Sequence, residues 1–314
     1  MRAAPLYEDV AKAPPGGEAW WVATSDGFEI RVASWPAAPG TPARGTILLF
    51  PGRTEYIEKY GHAAGIYTAQ GFGVITLDWR GQGLTKRAWE DRRLGHVIDF
   101  DEYQRDLAAV LNLADWLGLP APRFLVAHSM GGCIGLRALH SGLAVNAVAF
   151  SAPMWGVKMD PWEIPLAWVS ALASPLPGIG GILTPRTTLD HQVHVDPFED
   201  NTLTTDREMW DLMIEQFARY PDLTLGGPTL RWLRAALLEM RQLNRMPAPE
   251  TPTITFLGSN ERIVEPGPIK RLMRRWEAGR LVHVDGAEHE IMMERPEVRD
   301  RFFDASIALF LDNA

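Results

Sequence analysis

The sequence predicts an α/β fold with a mostly parallel central sheet, and three observations point to it. Short apolar, β-branched runs alternate with helix-length segments along most of the chain, the pattern of strands joined by crossover helices. The runs are apolar enough for a sheet covered on both faces. One of them, in "LVAHSMGGCIG" from Leu125 to Gly135, ends in a serine followed by glycines, at the strand-to-helix turn where parallel sheets collect functional groups.

"AWWVATSDGFEIRVASW" from Ala19 reads as a hairpin around the turn signal Asp26-Gly27. Buried strands are expected at "TILLF" (46–50), "GVITLD" (73–78), "RFLVAH" (123–128) and "AVAFSAP" (147–153). "TPTITFLG" (251–258) and "RLVHVDG" (280–286) complete a sheet of about eight strands. The helices between them are typified by "EYQRDLAAVLNLADWLG", whose Leu107, Val110, Leu111 and Leu113 recur at helical spacing. The alternation fails once, from Met154 to Met246, where Trp, Pro and helical stretches such as "DREMWDLMIEQFARY" appear without a clear strand. The expected division is therefore a core of residues 1–153 and 247–314 and a mainly helical cap inserted at 154–246.

Composition narrows the function. With 314 residues and 46% hydrophobic content the chain can bury a large core. A net charge of −8 argues against a nucleic-acid surface, which needs clustered Lys and Arg. The single cysteine, Cys133, excludes an internal disulfide framework and a cysteine-based zinc site, and reads as a small buried residue. "MRAAPLYEDVAKAPPGG" lacks the apolar stretch of a signal peptide, and "WEIPLAWVSALASPLPGIGGIL" is too broken by Glu163 and prolines for a simple membrane span. A cytoplasmic protein is the expectation. His191 and His194, with Asp190 and Asp196, match no settled metal signature, so neither a metal nor a cofactor is expected.

A serine held on a sharp strand-to-helix turn presents its hydroxyl at the helix N-terminus, and Ser129 has the small neighbours Ala127, Gly131 and Gly132 that such a turn needs. The motif is A-x-S-x-G, with alanine in place of the usual first glycine. A serine capping a helix is the bland alternative. A serine nucleophile needs a base, and the base an orienting group. His289 follows the last expected strand and Glu261 the one before it, giving the chain order Ser129, Glu261, His289. Asp285, Glu288 and Glu290 are the other acids near His289, and Glu261 is preferred. The oxyanion donors are expected to be the backbone N–H groups of Met130, after the nucleophile, and of Arg53, in "PGRTE". The Arg53 side chain reads otherwise as a surface salt bridge to Glu55 or Glu58. His128 is expected to face away from the serine and to pack or hydrogen-bond. "LDWRGQG", with Asp78, Arg80, Gly81 and Gly83, reads as a structural loop.

"LLFPGRTEYIEKY", "LDWRGQGLT", "AHSMGG", "LGSNERIV" and "GAEHE", with "NTLTTDREMW" and "YPDLTLGGPTLRWL" in the insertion, resemble the α/β-hydrolase fold. Within it they resemble the serine hydrolases of the monoacylglycerol lipase and bacterial lysophospholipase L2-like family. The resemblance spans nearly the whole chain. It departs from the family pattern at Pro51-Gly52, usually His-Gly, and at Glu261, usually Asp. It implies an ester hydrolase of lipid metabolism acting on a monoacyl lipid, either a lysophospholipid or a monoacylglycerol, and supports Arg53 as an oxyanion donor through its backbone. An aminopeptidase, which would need an acid such as Glu163 or Glu199 to hold a free amine, remains open. So do a small-ester carboxylesterase and a non-catalytic binding protein. The Trp-rich insertion is expected to roof the site with an apolar pocket and to allow transient contact with a membrane surface. The oligomeric state is left open.

Overall fold

A computed structural model of the chain describes residues 1–87, 89 and 91–314, with backbone alone at positions 192 and 194. Among the described residues the strands are β1 (Arg2–Ala3), β2 (Glu18–Ala23), β3 (Glu29–Trp35), β4 (Gly45–Phe50), β5 (Phe72–Asp78), β6 (Arg123–His128), β7 (Ala147–Ser151), β8 (Thr253–Gly258) and β9 (Gly279–Val284). They form one sheet in the order β1-β2-β3-β5-β4-β6-β7-β8-β9. The first four in that order pair antiparallel, and every later pair is parallel. The strand beyond the expected eight is β1, two residues paired to Trp20 and Trp21, too short to leave a periodic signal.

Both faces of the sheet are covered, so successive strand residues feed different cores. Leu48 and Phe50 pack with the helices Asp101–Trp116 and Met130–His140, while Ile47 and Leu49 pack with the helices Gly61–Ala69 and Pro296–Asp312. This is why the runs read as continuously apolar.

"LDWRGQG" behaves as a structural loop. Arg31 on β3 is fully buried and donates to Asp78 Oδ2 at 2.7 Å and to both oxygens of Glu58 at 2.7 Å. Asp78 also accepts from the backbone N–H groups of Ile57 and Leu84, each at 2.8 Å. The buried cation thus has its anions, and the carboxylate in turn pins the loops that carry Ile57 and Leu84. Arg80 is held in the same way by Asp106, Asp26 and Glu102.

Between β7 and β8 the chain forms the helices Glu163–Ala173, Gln192–Val195, Arg207–Arg219 and Leu230–Leu243. Asp206 and Thr229 cap the last two by accepting from first-turn N–H groups. Met209, Trp210, Met213 and Phe217 form a separate small core with Tyr56 and Met293, which ties this segment to the loops after β4 and β9. Helix Glu163–Ala173 differs, burying Ala171 alone. No helix is long and apolar enough to cross a membrane among the described residues.

Candidate active site

β6 ends at His128 and a helix begins at Met130, so the chain reverses at a single residue. Ser129 takes φ +49° and ψ −116°, a left-handed conformation costly for a residue with a side chain. The turn fits because its neighbours carry no Cβ. One on Gly131 would lie 2.3 Å from the Phe50 carbonyl oxygen, and one on Gly132 would lie 2.6 Å from the Pro153 Cβ. The hydroxyl stands where the helix N-terminus favours negative charge.

Loops after three strands bring the expected side chains together. His289 Nε2 lies 2.9 Å from Ser129 Oγ, and its Nδ1 lies 2.8 Å from Glu261 Oε2. All three residues are buried, where charge interactions are stronger than in water. The other oxygen of Glu261 accepts from the backbone N–H groups of Ile263 (2.7 Å) and Val264 (2.9 Å), so the longer acid is fixed at both ends of its carboxylate. Burial pushes this carboxyl up, but His289 and those two N–H groups outweigh it and hold its pKa below the usual glutamate value. Asp285 is exposed, Glu288 faces Arg262, and Glu290 turns toward Lys59. The His289 loop is also tied to the insertion, since Glu290 N–H donates to the Leu203 carbonyl at 2.8 Å.

The loop after β4 lies beside the serine. Gln82 fixes it from two directions, accepting from Thr54 N–H (2.7 Å) and donating to the Gly52 carbonyl (3.2 Å). The Pro51 carbonyl accepts from the Trp79 indole at 2.9 Å. No protein acceptor takes the N–H of Arg53 or of Met130 among the described residues, and Met130 N–H, the first of its helix, has no acceptor within that helix. These are the two donors expected for an oxyanion.

Two expectations fail here. The Arg53 side chain is not in a surface salt bridge: Glu55 bonds Lys59 and Tyr60, Glu58 bonds Arg31, and Arg53 reaches instead to the Gly226 carbonyl at 2.5 Å. His128 does not face away from the serine either. It lines the same cavity, with its ring 4.7 Å from that of His289, because the reversal at Ser129 sends consecutive side chains to one side. Its Nδ1 does make the expected hydrogen bond, at 3.0 Å from the Ser151 carbonyl.

His128 belongs to a buried cluster that the sequence did not reveal. Lys59 Nζ bonds Glu55 at 2.5 Å and Glu290 at 2.6 Å, and His128 Nε2 lies 3.3 Å from Glu290. Burial pushes the imidazole pKa down, but the two carboxylates overcome this and raise it. Glu55, His128 and Glu290 could geometrically ligate a metal ion, yet the Lys59 ammonium already places a cation against both carboxylates. The signal that could have found it is the four-residue spacing of Glu55 and Lys59; Glu290 arrives from the far end of the chain. In "DHQVHVD", the His191 ring packs 4.4 Å from Phe217, and the His194 side chain lies outside the described residues.

The cavity above Ser129 has a volume of about 540 Å³. Met154, Val157, Leu225 and Trp232 give it apolar walls, but the insertion also contributes Arg186, Asp190 and Asp196. The apolar underside expected of the insertion is therefore mixed.

Comparison with known proteins places the chain in a family of α/β-hydrolases. A family model described as Hydrolase_4, serine aminopeptidase, S33, matches residues 41–296. Lysophospholipase L2 of Escherichia coli (strain K12) is 32% identical over 282 residues, covering 84% of this chain and 79% of that protein. A monoacylglycerol lipase of Mycolicibacterium smegmatis is 34% identical over 145 residues, covering 45% of this chain and 49% of that one. The fold is similar to that of a soluble variant of monoglyceride lipase from Saccharomyces cerevisiae bound to a substrate analog. That match has a TM-score of 0.73 at 20% identity, over 93% of this chain and 94% of the other.

Proposed function

We infer the reaction from two premises: the chain belongs to the Hydrolase_4 (serine aminopeptidase, S33) family of α/β-hydrolases, and Ser129, His289 and Glu261 form one hydrogen-bonded line. The chain is a serine ester hydrolase, and we propose that its substrate is a monoacyl lipid, a lysophospholipid or a monoacylglycerol. That line of side chains carries the reading, with relatives named lysophospholipase and monoacylglycerol lipase in support.

In the proposed mechanism Ser129 Oγ attacks the ester carbonyl while His289 Nε2 takes its proton. Glu261 stabilises the imidazolium and keeps the ring in the tautomer that accepts from the serine. The oxyanion of the tetrahedral intermediate is held by Arg53 N–H and Met130 N–H. Collapse breaks the ester C–O bond, His289 protonates the departing alcohol, and the acyl group stays on Ser129. Water, deprotonated by His289, then releases the fatty acid. Residues 154–246 serve in this reading as the cap over the site, on a core of 1–153 and 247–314.

The peptidase alternative needed Glu163 or Glu199 to meet a free amine. Neither lines the cavity, and Glu163 bonds Arg186 at 2.5 Å. Chain length tests the lipid reading. Each buried methylene contributes about 0.8 kcal/mol, so going from acetyl to hexanoyl nitrophenyl ester should raise kcat/KM by about two orders of magnitude. A preference for acetate, or for an aminoacyl amide, would exclude a monoacyl lipid.

The cap also supports a membrane contact. Trp162, Val169 and Leu172 are 61%, 65% and 63% exposed, on or beside a helix that buries only Ala171. Exposed apolar side chains gathered on one short helix suit insertion into a bilayer surface. The protein should cosediment with phosphatidylcholine vesicles, and a Val169→Glu, Leu172→Glu double variant should not, while both hydrolyse a soluble nitrophenyl ester equally. Vesicle binding unchanged by the double variant would exclude this face.

A further inference from the structure

Besides the histidines, the cations lining the catalytic cavity are Arg53, Lys59 and Arg186 among the described residues. Two of them are neutralised. Lys59 bonds Glu55 and Glu290, and Arg186 bonds Glu163. Arg53 has no carboxylate partner among the described residues. Its Nη2 donates to the Gly226 carbonyl at 2.5 Å and its guanidinium lies 5.3 Å from the centre of the Trp232 ring. Its Nε is buried with no acceptor, and no protein acceptor takes Nη1 among the described residues. Burial pulls its pKa down to about 10, which still leaves it charged at neutral pH.

Arg53 is half-buried, and a cation partly withdrawn from water without an anion is costly unless something pairs it. Here the charge lines the same cavity as Ser129, on a residue whose backbone is a proposed oxyanion donor. The guanidinium is carried away from the backbone toward Gly226 and Trp232, on the wall of the cavity that would hold the leaving group. A phosphate there would meet Nη1, the donor that is neither bonded to Gly226 nor shielded as Nε is, on a planar cation suited to phosphate oxygens.

We propose that Arg53 determines leaving-group specificity, its guanidinium receiving the phosphate of a glycerophosphate head, so that phosphate-bearing monoacyl lipids are hydrolysed in preference to neutral monoacylglycerols. This rests on the ester-hydrolase reading of Ser129. The carbonyl of Gly226 and the ring of Trp232 hold the side chain in position, and the cap thereby takes part in recognising the head group.

The test compares lysophosphatidylcholine with a monoacylglycerol of the same acyl chain in one detergent, using wild type, Arg53→Met and Arg53→Lys. Charge-assisted hydrogen bonds of this kind correspond to about 10- to 100-fold in rate, so Arg53→Met should cut the phosphate-to-neutral ratio of kcat/KM by about that much. Arg53→Lys should restore part of it. Because the substitution sits on an oxyanion loop, the readout is the ratio and not the absolute rate. A second measurement needs no variant: glycerol 3-phosphate should inhibit nitrophenyl ester hydrolysis by wild type, and glycerol should not. An unchanged ratio in Arg53→Met, or equal inhibition by the two, overturns the proposal. Inorganic phosphate inhibiting as well as glycerol 3-phosphate, with no wild-type preference for lysophosphatidylcholine, also overturns it, by showing a site for free phosphate only. Failure of wild type to hydrolyse any nitrophenyl ester would instead strike the ester-hydrolase reading beneath it.

Discussion

Ser129→Ala is expected to lower kcat on a nitrophenyl ester by about 10⁶, the loss typical of removing the nucleophile from a cooperating triad. The size follows from what remains. The oxyanion donors and the pocket still bind, but no covalent intermediate forms and water attacks unaided. Stability should change little, because the side-chain bond of Ser129 is the one to His289 and alanine meets the same strain at φ +49°. An unchanged thermal midpoint with kcat reduced by about 10⁶ is the expected pair of results. A variant retaining a hundredth of the wild-type rate would remove Ser129 from the chemistry.

Glu261→Gln should lower kcat by about 10³ to 10⁴ at nearly constant volume. The local hydrogen bonds explain why a near-isostere does so much harm. Oε1 accepts from Ile263 N–H and Val264 N–H, so the glutamine oxygen must stay there and its amide NH₂ must face His289 Nδ1. The ring is then forced to accept at Nδ1 and to carry its proton at Nε2, the atom that should take the proton of Ser129. Asp285→Asn should change the rate by no more than about threefold, since Asp285 is exposed and away from the imidazole. Glu261→Asp should keep appreciable activity. Rates in which Asp285→Asn is the worse variant would move the acid to that position.

The sequence carried the fold and these three side chains because each rests on a local pattern. Strands buried on both faces read as unbroken apolar runs, Ser129 announces its turn through Gly131 and Gly132, and His289 and Glu261 each follow a strand. What it did not carry depends on distant segments meeting. Arg53 finds Gly226 and Trp232, more than 170 residues later, so the nearby Glu55 and Glu58 are not its partners, and Lys59 adds the distant Glu290 to its neighbour Glu55. His128 lines the cavity against expectation because strand alternation ends with β6 and the chain enters the left-handed turn at Ser129. The two-residue β1 left no periodicity at all.

The central claim is that a hydrolytic acyl transfer runs through Ser129, and covalent labelling tests it most directly. A fluorophosphonate probe applied to the wild-type protein should add one mass increment, lie on the peptide that contains Ser129, and abolish ester hydrolysis in proportion to labelling. Labelling of another residue, or full hydrolysis by protein fully labelled at Ser129, would contradict the account.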